Sequence, residues 1–299
     1  MVQRCRAEVL CVGAVTADVI ALVDELPGDD QRVEDSDIVI AGGGPAATAA
    51  LTLARLGVSV AFAGVVGDDV LADVALAGLK EAGVDLSLVV RDPSRCTARS
   101  IVLIERKTAG RRIITSQRSH VPELNDLPRT PWVHVDQLGY QALRQHGDRW
   151  CKSKLSVDGG NPIASLDLAG VDLFAPTLSR LVSDDPGDPP DVLVRALARG
   201  AGVVVATDGA HGAWVAANDI AGGAPQQIPG FSVAVVSSLG AGDVFHGALL
   251  ARLVGGAPPC EATRFANAAA ALSCLALDGQ SGVPDRLAIE GLLSRDGAR

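Results

Sequence analysis

Short Val- and Ile-rich runs alternate along this chain with Ala- and Leu-rich stretches of helical length, and that rhythm admits few architectures. Buried parallel strands read as near-continuous apolar runs because both faces are covered, and each return to a parallel neighbour needs a crossover, usually a helix. The strand candidates are Val9 to Val15, Val58 to Val65, Trp132 to Val135, Leu155 to Val157, Leu173 to Ala175, Gly202 to Ala206 and Val233 to Val236. Helices are expected over Ala46 to Leu56, Val70 to Ala82, Pro190 to Arg199, Ala241 to Leu253 and Glu261 to Leu277. The pattern predicts an α/β fold, three layers (α/β/α) around a mostly parallel central sheet.

Two stretches, 22–41 and 86–119, break the rhythm with β-like alternation, as in Ser100-Ile101-Val102-Leu103-Ile104-Glu105, a Gly110 turn and Arg112-Ile113-Ile114. They predict a small second sheet, a lid over the strand ends where open α/β folds bind ligands. No repeat or linker divides the chain, so residues 1–299 are expected to form one domain with that lid. Aromatic residues make up only 3% of the chain, so the core must be built from Ala, Val and Leu.

A net charge of -9 leaves no basic footprint for nucleic acid or an anionic membrane. Phosphorylated ligands must therefore be held by local basic groups, backbone amides or a metal ion. The 6 cysteines include no CxxC pair and no Cys/His cluster at metal-ligand spacing, so no structural zinc is expected. Nothing reads as a signal peptide or as ~20 uncharged apolar residues, which predicts a soluble protein of the reducing cytoplasm.

The chemistry concentrates near the C-terminus, where Val235-Val236-Ser237-Ser238-Leu239 leads through Gly240-Ala241-Gly242-Asp243 into Val244-Phe245-His246-Gly247. A helix beginning there leaves about four N–H groups without intrahelical partners at its positive dipole end, which suits a transferring phosphoryl group. Gly240 and Gly242 let the backbone come close, and Asp243 can accept a proton from a hydroxyl held in line with that group. Read alone, the same four residues are also a tight strand-to-helix turn.

Three further motifs precede it: Gly13-x-x-x-x-Asp18, Gly42-Gly43-Gly44-Pro45 opening a helix, and Thr207-x-Gly209-x-x-Gly212. In this order, from about Val9 to Pro284, the four resemble the PfkB family of carbohydrate kinases, also called the ribokinase family. The resemblance implies a ribokinase-like domain using ATP and Mg2+, with Asp243 as base and the amides of Gly240, Ala241 and Gly242 around the moving phosphoryl group. It implies that Asp18, Gly42 and Gly43 contact the sugar, that Thr207, Gly209 and Gly212 lie along the nucleotide, and that Asn267 lines the adenine pocket. Taken singly, Asp18 reads as a turn or cap, Gly42 and Gly43 as hinges into the Ala46 helix, and Asn267 as an ordinary helical polar residue. Asp68 and Asp69 read as an acidic helix start. A homodimer through the lid is expected, with no nucleic acid or membrane partner.

Gly42 to Ala50, Gly242 to Leu249, Arg264-Phe265-Ala266 and Gly282-Val283-Pro284-Asp285 look like the subgroup containing bacterial sulfofructose kinase, which phosphorylates a ketose bearing a sulfonate. That subgroup's anion pocket falls near Arg32, Ser116 and Leu138, so one basic position is kept, and Arg112, Arg118 or His120 are candidates for a rearranged anion site. Ser237-Ser238-Leu239 replaces the family's Asp-Thr-Thr, so no potassium activation is expected. The family's Asn-x-x-Glu is missing near Phe174 to Leu181, which leaves magnesium to the nucleotide's own phosphates. The expected reaction is phosphoryl transfer from ATP to a sugar hydroxyl, on an anionic ketose or, alternatively, on a neutral ribose or fructose. A non-catalytic binder of nucleotide or sugar would have no use for Asp243.

Overall fold

Val9 and Cys11 pack to one side of their strand and Leu10 and Val12 to the other, so a strand built from them must be covered on both faces. That strand is β1 (Val9–Val12), and it lies in a sheet with β4 (Val60–Ala63), β9 (Trp132–Val135), β10 (Lys154–Gly159), β11 (Leu173–Pro176) and β12 (Val203–Thr207), all parallel. Two antiparallel strands, β13 (Ala213–Ala217) and β14 (Gln226–Ile228), complete the order β14-β13-β12-β11-β10-β9-β1-β4. This is a computed structural model, and it describes residues 7–34, 37–115, 120–124, 127–147, 152–218, 220 and 224–296.

One face of the sheet carries α1 (Pro45–Arg55), α2 (Val70–Glu81), α6 (Ala241–Val254), α7 (Pro259–Ser273) and α8 (Arg286–Asp296). The other carries α3 (Gln137–His146), α4 (Leu178–Asp184) and α5 (Pro189–Ala198). Proline at the first turn opens α1, α5 and α7, where its missing N–H costs nothing. Asp69 caps α2 by accepting from Ala72 N at 3.1 Å, and its other oxygen holds Thr97 N at 2.9 Å. Among the described residues no helix is long and apolar enough to cross a membrane.

A second sheet has the order β3-β2-β7-β8, with β2 (Thr16–Val23), β3 (Asp37–Gly43), β7 (Arg99–Glu105) and β8 (Arg111–Thr115). Ile20, Leu22, Val102 and Ile104 share its inner face, where they pack with Leu239 and Leu277 beside the start of α6. The lid therefore begins at Thr16 rather than at Leu22. It also excludes β6 (Val90–Asp92), which pairs instead with β5 (Val65–Gly67).

The expected strand over Val9 to Val15 stops at Val12, because the space beside Gly13 is filled by the Asp136 carboxylate and Ala14 N turns to donate to it at 2.7 Å. Val233 to Val236 is not a strand. It runs outside the sheet with Val235 and Val236 exposed, and the amides of Val236 and Ser237 donate to Cys274 O at the end of α7. An apolar run of this length has the same sequence signature whether it joins a sheet or passes by it. The helix expected to reach Leu277 ends at Ser273.

Candidate active site

The strand ends deliver the polar residues: Gly13 and Asp136 follow β1 and β9, Asp158 is next to last in β10, and Thr207 ends β12. Asp136 is fully buried and works as a clamp. One oxygen accepts from Ala14 N and, at 3.4 Å, from Ala46 N, while the other caps α3 through Leu138 N and Gly139 N. Burial pushes its carboxyl up to about 6 against the pull of those amides.

Opposite, α6 starts behind Gly240, whose φ of 75° is left-handed. A Cβ there would lie 2.6 Å from Gly279 Cα, so dihedral and space both require glycine. Gly242, inside the first turn, faces open space, with nothing within 4 Å of where its Cβ would be. Of the three amides assigned to the phosphoryl group, Ala241's already makes a long bond of 3.3 Å to Ser238 O.

Asp243 follows on the same turn and keeps a partly accessible surface. Burial first, and then the Asp158 carboxylate, push its carboxyl up to about 7, against the attraction of His246 and Arg111. Asp158 and His246 are both buried, with Nδ1 of the ring 3.0 Å from Asp158 Oδ2. Among the described residues these three form a group that could hold a metal ion. Histidine is a poor ligand for Mg2+, and the 3.0 Å contact is that of an internal ion pair, so the group does not fit that ion.

The lid supplies the other wall. Asp18 lies within β2 rather than just past a strand end, on the same face as Ser100, whose hydroxyl donates to it. Burial raises its carboxyl above the ordinary aspartate value, offset in part by hydrogen bonds from Ser100 and Thr16. A side chain on Gly43 would overlap the Asp18 carboxylate, so glycine there is what leaves that carboxylate open. Gly42 turns the other way. A Cβ on it would lie 2.8 Å from both Ala75 O and Gln280 Oε1, so it serves close packing on α2, not the sugar face.

Arg111, at the head of β8, reaches across with Nη1 2.9 Å from Ser238 O and 3.2 Å from Ser238 Oγ, fastening the lid to the loop before Gly240. The register puts Arg112 opposite Leu103, on the outer lid face, away from Asp18. Arg32 is exposed on the connection between β2 and β3, which leaves the sheet about 17 Å along β2 from Asp18. His120 is half-buried and its imidazole is held below its usual value, by burial first and then by Arg95. Leu138 opens α3 beside Asp136. Arg118 and Ser116 lie outside the described residues.

Thr207, Gly209 and Gly212 form one tight loop, in which Asp208 N donates to Gly212 O at 2.7 Å and Gly212 has a φ of 94°. Asn267 on α7 joins this cluster, donating to Ile228 O at 3.0 Å and Pro229 O at 3.1 Å, the backbone against which Gly212 packs. Its amide is thus already used to fix the loop.

The pfkB family carbohydrate kinase model matches residues 6–153 and 163–286. Ribokinase of Bacillus subtilis (strain 168) is 30% identical over 95% of this chain and 99% of its own length. Ketohexokinase of Mus musculus is 27% identical over 92% of this chain and 98% of its own. Among solved structures, ribokinase from Thermotoga maritima gives a TM-score of 0.82 at 22% identity, covering 96% of this chain and 99% of that one. Ribokinase from Arabidopsis thaliana, solved with ribose and ATP, gives 0.76 at 21%, with the same coverages of 96% and 99%.

Proposed function

The chain belongs to the pfkB family of carbohydrate kinases and is a sugar kinase, a phosphotransferase with an alcohol group as acceptor; we propose that its donor is ATP and that its acceptor carries an anionic group. The observation that carries the reading is Asp243 on the first turn of α6, near enough to Arg111 of the lid to feel its charge, with Asp18 beside Gly43 on that same inner lid face. Asp18 accepts hydrogen bonds from sugar hydroxyls, and Asp243 takes the proton of the attacking one. The amides of Gly240, Ala241 and Gly242 sit where negative charge develops, and positioning with electrostatics carries most of such catalysis.

Magnesium supplies charge neutralisation on the nucleotide's phosphates when it is bound with ATP. Support for the donor comes from fructokinase of Xylella fastidiosa, solved with bound ATP, and from an E. coli chain described as a ribokinase II, solved with ATP and Mg2+. Thr207, Gly209, Gly212 and Asn267 take the nucleotide side. The thiols of Cys11, Cys96 and Cys274 fit the reducing cytoplasm as the place of action. A homodimer through the lid completes the reading.

Arg111, on the inner lid face beside the start of α6, motivates the anionic acceptor, whereas Arg32 lies too far along the lid from Asp18 to reach a sugar held there. Sulfosugars and sugar phosphates are the candidates. The second reading, a neutral ribose or fructose, is favoured by the Bacillus subtilis relative. A coupled ADP-release screen over ketoses, pentoses, sugar phosphates and sulfosugars separates the two. The expected result is a higher kcat/KM for an anionic sugar than for its neutral parent. Equal turnover of neutral fructose or ribose assigns an ordinary pentose or hexose kinase.

A further inference from the structure

One turn of α6 beyond Asp243 lies a histidine that the reaction as described does not use. His246 is almost wholly inaccessible, and both sides of its ring meet acceptors: Asp158 Oδ2 stands 3.0 Å from Nδ1, and the Ala175 backbone hydrogen-bonds the ring. A neutral imidazole has one N–H and one lone pair, so a ring facing two acceptors satisfies both only when doubly protonated. Nδ1 is not aligned for a linear hydrogen bond with Asp158, which makes that contact an ion pair first.

The pair sits directly beneath the base. One ligand-type atom from each of Asp158, Asp243 and His246 lies within 4.8 Å of the other two. Two carboxylates this close, one buried and one only partly accessible, do not both stay ionised without a cation between them. From these placements we propose that His246 is a positioning residue for phosphoryl transfer, a buried imidazolium anchored by Asp158 whose charge favours the anionic form of Asp243, the form that accepts the sugar proton. This rests on Asp243 being the base.

The groups that face the pair fix its charges. Burial works against a charged His246, but Asp158 outweighs it, with Asp243 adding to the effect, and the imidazole is held above its usual value. Asp158 is held below its usual value: burial would raise it, and His246, the Gly160 amide and His134 overcome that. His134 on β9, with its ring centroid 6.3 Å from that of His246, takes the opposite state. Burial and then the charge of His246 push it down to about 4, and its Nδ1 meets only Ser156 Oγ at 2.9 Å. Arg111 from β8 and Asp136 at the head of α3 complete the charges acting on Asp243, with opposite signs.

The test is the pH profile of His246→Gln, which keeps polarity and removes the charge, paired with NMR of ¹³C,¹⁵N-histidine-labelled protein. The acid limb of kcat/KM is expected to move up by about one pH unit, so that the variant is about tenfold slower below pH 6.5 and approaches wild type above pH 9. KM for ATP should be unchanged. In the wild type the His246 ring should still be imidazolium at pH 7, and Asp158→Asn should make it titrate lower. An unmoved acid limb, a loss of kcat equal at all pH values, or a neutral His246 ring at pH 7 overturns the proposal. If His246→Gln does not fold, the wild-type NMR state decides. Asp243→Asn, measured alongside, shows separately whether the base assignment itself holds.

Discussion

Asp243 is a carboxylic acid that this fold makes weak. A general base works only when deprotonated, and a carboxyl pushed up to about 7 is half protonated near neutrality rather than near pH 4. Activity should therefore fall as pH drops through about 7, by about tenfold per unit further down, where an unperturbed aspartate would hold it flat to about pH 4. Asp243→Asn should keep nucleotide affinity and lower kcat by about 100-fold or more. A wild-type profile flat to pH 5, or near-normal turnover in the Asn variant, removes Asp243 from the reaction. The motif made this residue legible, because Gly-x-Gly-Asp ahead of an apolar helix leaves few uses for the acid. Asp158, His246 and Ser100 were not legible as site residues. Asp158 and His246 meet only when β10 is laid beside α6, 85 or more residues apart in the chain, and no local pattern marks that approach. Ser100 had a usable signal, since strand alternation with Asp18's neighbour fixes its face once β2 and β7 are known to pair.

At the scale of one element, the two glycines at the head of α6 do different work although the sequence spells them alike. Gly240 holds a left-handed φ against the Gly279 backbone, whereas Gly242 is an ordinary helical residue with open space beyond it. Gly240→Ala should lower stability by ~1–2 kcal/mol or more through strain alone. That is a fall of several degrees in Tm for a chain of this size. Gly242→Ala should leave Tm unchanged or raise it, because alanine is the better helix former by ~1 kcal/mol. It should still cut turnover, since the new methyl stands at the mouth where the phosphoryl group must approach. Thermal unfolding and kcat measured on both variants check this; a Gly242→Ala enzyme with full activity would show that the phosphoryl group lies elsewhere. The same contrast explains which elements could be read ahead of the structure. α1 and α2 announce themselves by proline or capping signals and α6 by a long apolar run after its glycines, while α3, α4 and α8 are more polar and mingle with turn residues. The Val233 to Val236 run misleads because hydrophobicity reports burial only when something covers it.

At the scale of the whole molecule, the lid is a sheet whose inner face is in use and whose outer face packs on α2 at Gly42 and Ala17 and is otherwise uncovered among the described residues. Its inner side covers Leu239 and Asp18; its outer side carries, in direct register across all four strands, Ile40, Val19, Ile101 and Ile114. The three isoleucines of that row are 59%, 49% and 62% exposed, and Ile38 beside them is 65% exposed. Scattered surface apolar residues are ordinary, but an aligned row rimmed by Arg99, Arg112 and Glu105 is the kind of surface that the proposed homodimer through the lid would use. A second copy of the same lid offers the same row, and stacking the two sheets about a two-fold axis buries both at ~10 Å separation. Each isoleucine, already about half covered, contributes about half of the ~1.5–3 kcal/mol of a full burial, set against the cost of association. The protein is therefore expected to sediment at twice its 30.6 kDa chain mass at micromolar concentration. Ile101→Asp, which puts a charge in the middle of the row, should return it to a monomer while leaving the inner face folded. Because the lid also carries Asp18, the monomer should show a raised KM for the sugar with little change for ATP. A wild type that sediments as a monomer, or an Ile101→Asp variant that stays dimeric, places the subunit contact elsewhere or removes it.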